Sequence, residues 1–554
     1  MAFDYRELEK QAQKEYERWM EETEENPRFH RELEALQGNE EEITDAFYKP
    51  LRFGTSGLRG ILGPGTNRIN LYTVRRSSQG LSDYLNETRE DPSVIVSYDS
   101  RRQSRFLAEE TAAVLNGNGI RTFIFGELTP VSVLSFAIRE MKADMGVMIT
   151  ASHNPKIYNG YKVYNSEGYQ VIGDEPGKIL KAIDRLDYFS GIKYKKDGGI
   201  KKVPGKIKDS FIRKIADDWM PLNSEMMNHL KTIYTPLNGT GAKYVPSVFN
   251  CIGYLNHTIV RAQEYPDPEF TTCPAPNPEK ILAYDEGFKA LDQEGGDIII
   301  ATDPDADRAG AALYHDGMRS ILTGNQLGIL MLDYLCHIRP PREDQFVVKS
   351  IATSPMVSLM AEKYGFTVIN TLTGFRYIGD IVSRLKQAGQ EDRFYFGFEE
   401  SNSFLISPFL CEKDGISASV LIAEVAAFHK SQGKDLVDRL NELYQEFGVC
   451  SDKQRSYVFS GARGQETMKK IMQYFRQNES DKFGDRRVER RIDYMHEEGF
   501  PSADVVEYDF DDGSRLIIRP SGTEAKLKVY SFETCDFSGV EREVVRIIER
   551  FKEV

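Results

Sequence analysis

Apolar residues along this chain fall into two alternating patterns. Short apolar runs end abruptly in small, polar or acidic residues: SVIVSYD, DMGVMITASHN, TIYTPLNGTG, DIIIATDPDAD, QFVVKSIATS, FYFGFEES and RLIIRPSGTE. Between several of them lie longer stretches with helical periodicity, such as RQSRFLAEETAAVLNG, GNQLGILMLDYLCHI and GISASVLIAEVAAFHKSQGKDLVDRLNELYQEFG. Apolar runs bounded by turn residues predict buried strands, and their alternation with helices predicts βαβ units and largely parallel sheets. Ligands of such sheets gather at the carboxyl ends of the strands, where the polar clusters fall. Ahead of this pattern, residues 4–24 predict one acidic helix with Leu8, Tyr16 and Met20 at helical spacing and a solvated charged face.

At about 150 residues per domain, 554 residues predict roughly 3.7 domains. The basic, Gly-rich stretch 195–207 reads as a linker, with further breaks near 317–324 and 447–457. The resulting division is 1–205, 206–320, 321–447 and 448–554, with the mixed charges of 480–500 read as an exposed connection. Hydrophobic residues at 40% and charged residues at 28% are globular composition. Lys plus Arg number 71 against 85 Asp plus Glu, a net charge of −14. That excludes general affinity for nucleic acid, yet leaves room for an anionic small molecule held by local Arg and Lys. No run of 18 apolar residues appears, so no membrane span is expected. The start MAFDYRELEKQAQKEYERWM lacks a signal-peptide apolar core, so a cytoplasmic location is expected. Cysteines 251, 273, 336, 411, 450 and 535 form no CxxC and read as free thiols.

Five loops carry candidate chemistry. In ITASHNP (149–155), Ser152 sits beyond a strand end beside His153, with Pro155 stiffening the loop. The GxSxG elbow of hydrolases is absent, and Lys162 in the following NGYK lies close in sequence. In TDPDADR (302–308), Asp303, Asp305 and Asp307 alternate. Three carboxylates this close repel unless a cation binds, and hard oxygen ligands suit Mg²⁺ or Ca²⁺. Arg308 and Tyr314 stand where an EF-hand needs Gly and Glu, which favours Mg²⁺ and phosphoryl chemistry. An Asp-x-Asp after a strand also serves as an aspartyl-phosphate nucleophile, which would make this a phosphatase with no role for Ser152. In RPSGTEAK (519–526), Arg519, Ser521, Gly522, Thr523 and Lys526 form a phosphate cradle that is not a Walker loop. In GFEESNS (397–403), Glu399, Ser401 and their neighbours suit the vicinal hydroxyls of a sugar, with LTGFR (372–376) and KDG (413–415) adding small and basic residues. Finally FGTSGLRGI (53–61) sets three glycines around Arg59.

TASHNP, DPDADR, GFEES and RPSGTE, in this order and joined by GTSGLRG and NGYK, resemble the α-D-phosphohexomutase family, in its phosphoglucomutase/phosphopentomutase branch. The resemblance implies an α/β fold of four domains around a central cleft, three similar mixed α/β domains and a smaller C-terminal α+β domain. It implies an isomerase acting as an intramolecular phosphotransferase, with Ser152 as the phosphoserine, and Ser152, Asp303, Asp305 and Asp307 holding Mg²⁺. Arg59, His153 and Lys162 would surround the transferring phosphoryl group, Lys162 as general base or acid. Arg308, Thr373, Gly374, Glu399, Ser401, Lys413, Arg519, Ser521, Gly522 and Thr523 would bind substrate. The implied reaction interconverts glucose 1-phosphate and glucose 6-phosphate through glucose 1,6-bisphosphate. Phosphopentose and mannose phosphate are alternatives by the same chemistry. The implied partners are small sugar phosphates, with neither nucleic acid nor membrane expected; the oligomeric state is left open, a monomer being plausible. The sequence departs from the family pattern at Asn402, Ser403 and Phe404, at Ala525 and at Arg376, positions that bear on the sugar rather than on phosphoryl transfer.

Overall fold

The computed structural model describes residues 5–53, 57–218, 224–448, 451–459, 461–521 and 526–552. The chain opens with three helices, Tyr5–Glu22, Pro27–Glu34 and Glu40–Phe47. Asn26 and Asn39 begin the second and third by accepting the N–H of Phe29 and Glu42 at 3.3 and 3.2 Å, which satisfies otherwise orphaned donors. The buried stripe of the first helix is Ala12, Tyr16 and Trp19, and its charges stay outside. Trp19 lies 5.1–5.9 Å, centroid to centroid, from Phe29, Phe47, Tyr72, Tyr188 and Phe189. These helices are thereby fastened to the first sheet unit through aromatic contacts.

That unit contains β1 (Leu58–Ile61), β2 (Ser93–Tyr98), β3 (Arg121–Ile124), β4 (Met145–Ile149), β5 (Tyr158–Tyr164) and β6 (Lys201–Lys202), ordered β1-β5-β4-β2-β3-β6. Strands β2 and β4 are buried along their whole length, as parallel strands covered on both faces must be. The second sheet holds β7 (Thr232–Thr235), β8 (His257–Ile259), β9 (Ile298–Thr302), β10 (Ala309–His315) and β11 (Met318–Leu322), ordered β11-β10-β9-β7-β8. The third holds β12 (Phe346–Ser350), β13 (Thr367–Thr371), β14 (Phe394–Glu399) and β15 (Ser403–Leu405), ordered β13-β12-β14-β15.

The three sheets share one device. A strand with parallel neighbours runs into a loop, and the chain returns as an antiparallel strand: β4 to β5, β9 to β10, β14 to β15. The three loops so framed are the serine, acidic and sugar loops. The last sheet is antiparallel throughout: β16 (Ser451–Val458), β17 (Lys482–Phe483), β18 (Arg486–Asp493), β19 (Val506–Phe510), β20 (Arg515–Pro520) and β21 (Lys526–Glu533), ordered β16-β21-β20-β19-β18-β17. The phosphate loop joins β20 to β21. One apolar cluster runs through the first three units, from Phe136 and Phe211 to Tyr244, Val348 and Phe398, whereas the last unit has its own core around Phe475, Ile518 and Ile548.

Four local expectations change. Residues 195–207 are not a free linker, because β6 pairs with β3 as an edge strand. Strand β11 crosses the expected division at 320–321 and belongs to the second sheet. Residues 480–500 carry β17 and β18 rather than a bare connection, the charges of β18 lying on exposed or half-buried positions. The long helical stretch after 414 is two helices, Gly415–Ser431 and Leu436–Phe447, separated at Gly433 with φ +75°.

Candidate active site

Ser152 sits on the loop after β4 with φ +53°, a left-handed backbone uncommon for a residue with a Cβ. Its hydroxyl is buried and donates to Asp303 Oδ2 of the second unit at 2.6 Å. His153 Nδ1 lies 3.2 Å from the same oxygen. Lys162, which leaves the loop on β5, donates through Nζ to Asp305 Oδ2 at 2.8 Å and Asp307 Oδ2 at 3.3 Å. Lys413 Nζ approaches Asp307 Oδ2 to 3.5 Å, and Arg59 Nη1 donates to Asn154 Oδ1 at 2.9 Å. Ser152, His153, Lys162, Asp303, Asp305, Asp307 and Lys413 therefore meet, although they come from three sheet units, and Arg59 holds the serine loop beside them.

The acidic loop is held by its backbone from three sides. Val131 N–H of the first unit donates to Asp305 C=O at 3.0 Å, Thr240 N–H to Pro304 C=O at 2.8 Å, and Gly415 N–H of the third unit to Ala306 C=O at 3.1 Å. Within the loop, Asp303 Oδ1 accepts the N–H groups of Asp307 and Arg308, both at 3.1 Å. All three carboxylates are fully buried, with ligand-capable oxygens within 4.8 Å of one another. Asp305 Oδ1 and Asp307 Oδ1 have no hydrogen-bond partner among the described residues. Orphaned carboxylate oxygens this deep are costly unless a cation takes them, so the donor set fits a hard divalent ion.

Electrostatics separate the groups. Burial and the two neighbouring carboxylates push Asp303 well above the usual carboxylate range. Burial also opposes ionisation of Asp305, but the Lys162 ammonium outweighs it and holds that carboxyl below its ordinary value. Lys162 is itself raised, because Asp305, Tyr164 and Asp307 overcome the cost of burial. Burial and the Arg308 and Arg59 guanidiniums hold His153 well below its usual value, hence neutral near pH 7.

The remaining candidates line the route toward the last unit. Arg308 Nη1 donates to Glu279 Oε1 at 2.6 Å. Thr373 and Gly374 follow β13, and Gly374 N–H, at φ +127°, donates to Glu399 Oε1 at 2.6 Å. Ser401 Oγ lies 3.2 Å from Ser403 Oγ, within its own loop. Asn402, where the sequence departs from the family pattern, adopts φ +57° and donates through Nδ2 to Ala309 C=O at 3.0 Å, tying the sugar loop to the acidic loop's outgoing strand. Arg519 Nη2 donates to Tyr530 Oη at 3.3 Å, and Ser521 N–H to Lys526 C=O at 2.7 Å. Gly522 and Thr523 lie outside the described residues.

Several residues escaped the sequence reading. Lys528 stands directly across the β20–β21 ladder from Arg519 and faces Glu279, Glu400 and Arg308. Glu412 is buried and pushed up to about 7 by that burial. Arg101 is fully buried, and its guanidinium holds the carbonyls of Ser152, Asn154, Pro155 and Tyr158. The run SVIVSYDSRR carried a signal for Arg101, since it ends like the other site strands, in acidic and polar residues.

A serine on a strained loop, a buried carboxylate cluster from a second unit, a carboxylate-bearing loop from a third and a basic hairpin from a fourth define a four-unit phosphoryl-transfer enzyme. Comparison with known sequences places the chain more narrowly. Four consecutive family models match, described as phosphoglucomutase/phosphomannomutase alpha/beta/alpha domains I (residues 50–189), II (209–316) and III (323–447) and the C-terminal domain (472–550). The chain belongs to the phosphoglucomutase/phosphomannomutase family. It is 32% identical over 526 residues to the phosphoglucomutase of Staphylococcus aureus strain MRSA252, covering 92% of this chain and 94% of that one. Among solved structures, a phosphoglucomutase/phosphomannomutase family protein from Burkholderia thailandensis shares the fold with TM-score 0.65 at 17% identity, covering 89% of this chain and 96% of the other. The open form of the Paramecium phosphoprotein pp63/parafusin shares it with TM-score 0.63 at 18% identity, covering 91% and 95%. Among the described residues no helix is long and apolar enough to cross a membrane.

Proposed function

We propose that this enzyme interconverts glucose 1-phosphate and glucose 6-phosphate, with Ser152 carrying the phosphoryl group. The observation that carries the reading is the 2.6 Å hydrogen bond from Ser152 Oγ to Asp303, joining a hydroxyl to a carboxylate cluster 151 residues away in sequence. In the first half-reaction the O–P bond at Ser152 breaks and a P–O bond forms to the free hydroxyl of the sugar monophosphate. The proton of that hydroxyl passes through neutral His153 Nδ1 to Ser152 Oγ. The bisphosphate then turns in the cleft, so that its other phosphate faces Ser152. In the second half-reaction the O–P bond at the other sugar oxygen breaks, that phosphoryl group passes to Ser152 Oγ, and the serine proton goes by way of His153 Nδ1 to the sugar oxygen that has lost its phosphate. Lys162, kept protonated by its carboxylate neighbours, contributes fixed positive charge. Asp303, Asp305 and Asp307 would hold Mg²⁺, which when bound supplies further charge against the phosphoryl oxygens. Arg519, Ser521 and Lys528, with Gly522 and Thr523, hold the non-reacting phosphate, while Arg59, Arg308 and Lys413 line its path. Gly374, Glu399 and Ser401, beside Thr373, face the sugar hydroxyls.

The aspartyl-phosphate reading fits less well. Asp303 already accepts two N–H groups on one oxygen and the Ser152 hydroxyl on the other, which leaves neither oxygen disengaged to attack phosphorus. The test is turnover of glucose, mannose and ribose 1-phosphates side by side with Mg²⁺ and glucose 1,6-bisphosphate, for wild type and Ser152→Ala. Fastest turnover on the glucose ester and none in the variant are expected. Wild-type rates in Ser152→Ala would remove the serine from the mechanism, and a faster pentose or mannose reaction would replace the substrate.

A further inference from the structure

We propose that Asp99, acting through Thr150 and Arg101, is the positioning residue that locks the backbone of Ser152 in its reactive orientation, a role that rests on reading Ser152 as the phosphoryl carrier. Asp99 follows β2 and is buried. Its Oδ2 accepts the Thr150 hydroxyl at 2.6 Å and lies 3.3 Å from Arg101 Nε. Its Oδ1 accepts Arg101 N–H at 3.0 Å and Ser104 Oγ at 2.7 Å. Two of the three residues that Asp99 holds, Thr150 and Arg101, then hold Ser152 from opposite ends. Thr150 Oγ1 accepts the Ser152 N–H at 2.8 Å, and Arg101 Nη2 donates to the Ser152 C=O.

Both polar groups of the Ser152 backbone are thus governed by one carboxylate, whose own hydrogen bonds go to Thr150, Arg101 and Ser104. A left-handed φ of +53° persists only when its surroundings over-determine it. Arg101 extends the same grip along the loop, donating through Nη1 to Pro155 C=O at 3.1 Å and Tyr158 C=O at 3.2 Å. Its guanidinium also lies 5.2 Å from the centroid of Phe270, a residue of the second unit. The serine loop is thereby referenced to the unit that carries the acidic loop. The hydroxyl that must meet Asp303 is aimed by a scaffold spanning both partners.

The decisive experiment uses the full-length protein with Thr150→Val, Thr150→Ser, Asp99→Asn and Arg101→Lys. It measures steady-state turnover of glucose 1-phosphate, Mg²⁺ dependence, thermal unfolding, and Ser152 phosphorylation by intact mass after incubation with glucose 1,6-bisphosphate. A misplacement of about 1 Å costs about 100-fold in rate, so Thr150→Val should lose about 100-fold in kcat with KM unchanged, in a protein that stays folded with a lowered unfolding temperature because Ser152 N–H and Asp99 Oδ2 lose a buried partner. Thr150→Ser, which keeps the hydroxyl, should recover most of that loss. Wild-type kcat in Thr150→Val, or a loss that Thr150→Ser does not rescue, overturns the proposal. Thr150 Oγ1 also lies 3.2 Å from Asp305 Oδ2, so a raised Mg²⁺ requirement with unchanged kcat at saturating metal overturns it too, assigning Thr150 to the acidic loop. If Asp99→Asn does not fold, the Thr150 pair still decides. Failure of the underlying reading looks different: the wild type would then show no phosphoryl group on Ser152.

Discussion

Lys162→Met removes one buried ammonium while keeping most of the side chain's volume. The ammonium donates to Asp305 at 2.8 Å and Asp307 at 3.3 Å, and after its loss Lys413 remains 3.5 Å from Asp307. Removing one partner of a buried ion pair costs about 3–5 kcal/mol, because the other charge is left uncompensated. At 1.36 kcal/mol per factor of ten, the β4–β5 ladder should open roughly 10²- to 10⁴-fold more often. Native-state hydrogen exchange reads this locally, at amides such as Tyr161 on β5, without assuming that four units unfold together. The pH dependence has a definite sign. Lys162 holds Asp305 below its ordinary value against the pull of burial. In the variant burial prevails and that value rises above the unfolded one. The folded variant then binds the extra proton, and its deficit is largest at pH 8 and shrinks toward pH 5. Added Mg²⁺ should narrow the gap, since it neutralises the same carboxylates. Equal exchange in metal-free wild type and variant at pH 8, or a deficit that grows as pH falls, would refute the account.

Other expectations follow from single contacts. A Cβ at residue 415 would stand 2.5 Å from Arg308 C=O and 2.8 Å from Ala306 C=O, so Gly415→Ala should displace the acidic loop, cost about 1–3 kcal/mol and raise the Mg²⁺ concentration needed for half-maximal activity; an unchanged metal titration refutes this. Gln465 accepts from Lys49 Nζ at 2.9 Å and donates to Tyr48 Oη at 3.3 Å, linking the last unit to the segment after the N-terminal helices. Losing about 1 kcal/mol there in Gln465→Ala should shift any open–closed balance roughly fivefold, seen as a larger radius of gyration in X-ray scattering and a raised KM. Burial, with Arg439 adding to it, lowers His429 to about 4, and neither ring nitrogen has a partner among the described residues. Its neutral form is favoured in the folded state, so stability is full above pH ~6.5 and falls toward pH 4; denaturant midpoints of His429→Leu should depend less on pH over that window.

The chemistry of the serine, acidic and sugar loops was legible because each ends a strand buried along its whole length, and the contrast between apolar strand and polar loop survives in one dimension. The antiparallel returns were less legible. Strand β5, YNGYKVY, mixes polar and apolar residues because Lys162 and Asn159 are themselves buried site groups, which erases the expected pattern. The charges of β18 misled for the opposite reason, as an edge-side strand with only Ile492 buried reads as a surface segment. Arg101 went unnoticed although its strand ends like the other site strands, because four of its partners are backbone carbonyls of the serine loop, 51 or more residues away in sequence. Lys528 was hidden by register: only the β20–β21 ladder places it opposite Arg519.

The site's charge pattern also explains why so many segments had to converge. Three buried carboxylates on one loop are unstable alone, and the loop obtains its compensating cations from elsewhere: Lys162 from the first unit and Lys413 from the third. Further along the cleft the pairing is reversed, with Arg308 of the acidic loop meeting Glu279, while Arg519 and Lys528 of the last unit face Glu400. The acidic loop and Glu400 are therefore neutralised by cations of other units, whereas Arg308 is paired within its own. Assembly of the cleft and the electrostatics of phosphoryl transfer are then one problem, because the cations that make the acidic loop tolerable in the resting protein are those that face the phosphate groups during turnover. In the proposed reaction a bisphosphate would compete for Arg308, Arg519 and Lys528 against Glu279 and Glu400, and the carboxylates it displaced would be free to accept sugar hydroxyls, so the exchange of ion pairs that admits the ligand would also orient it.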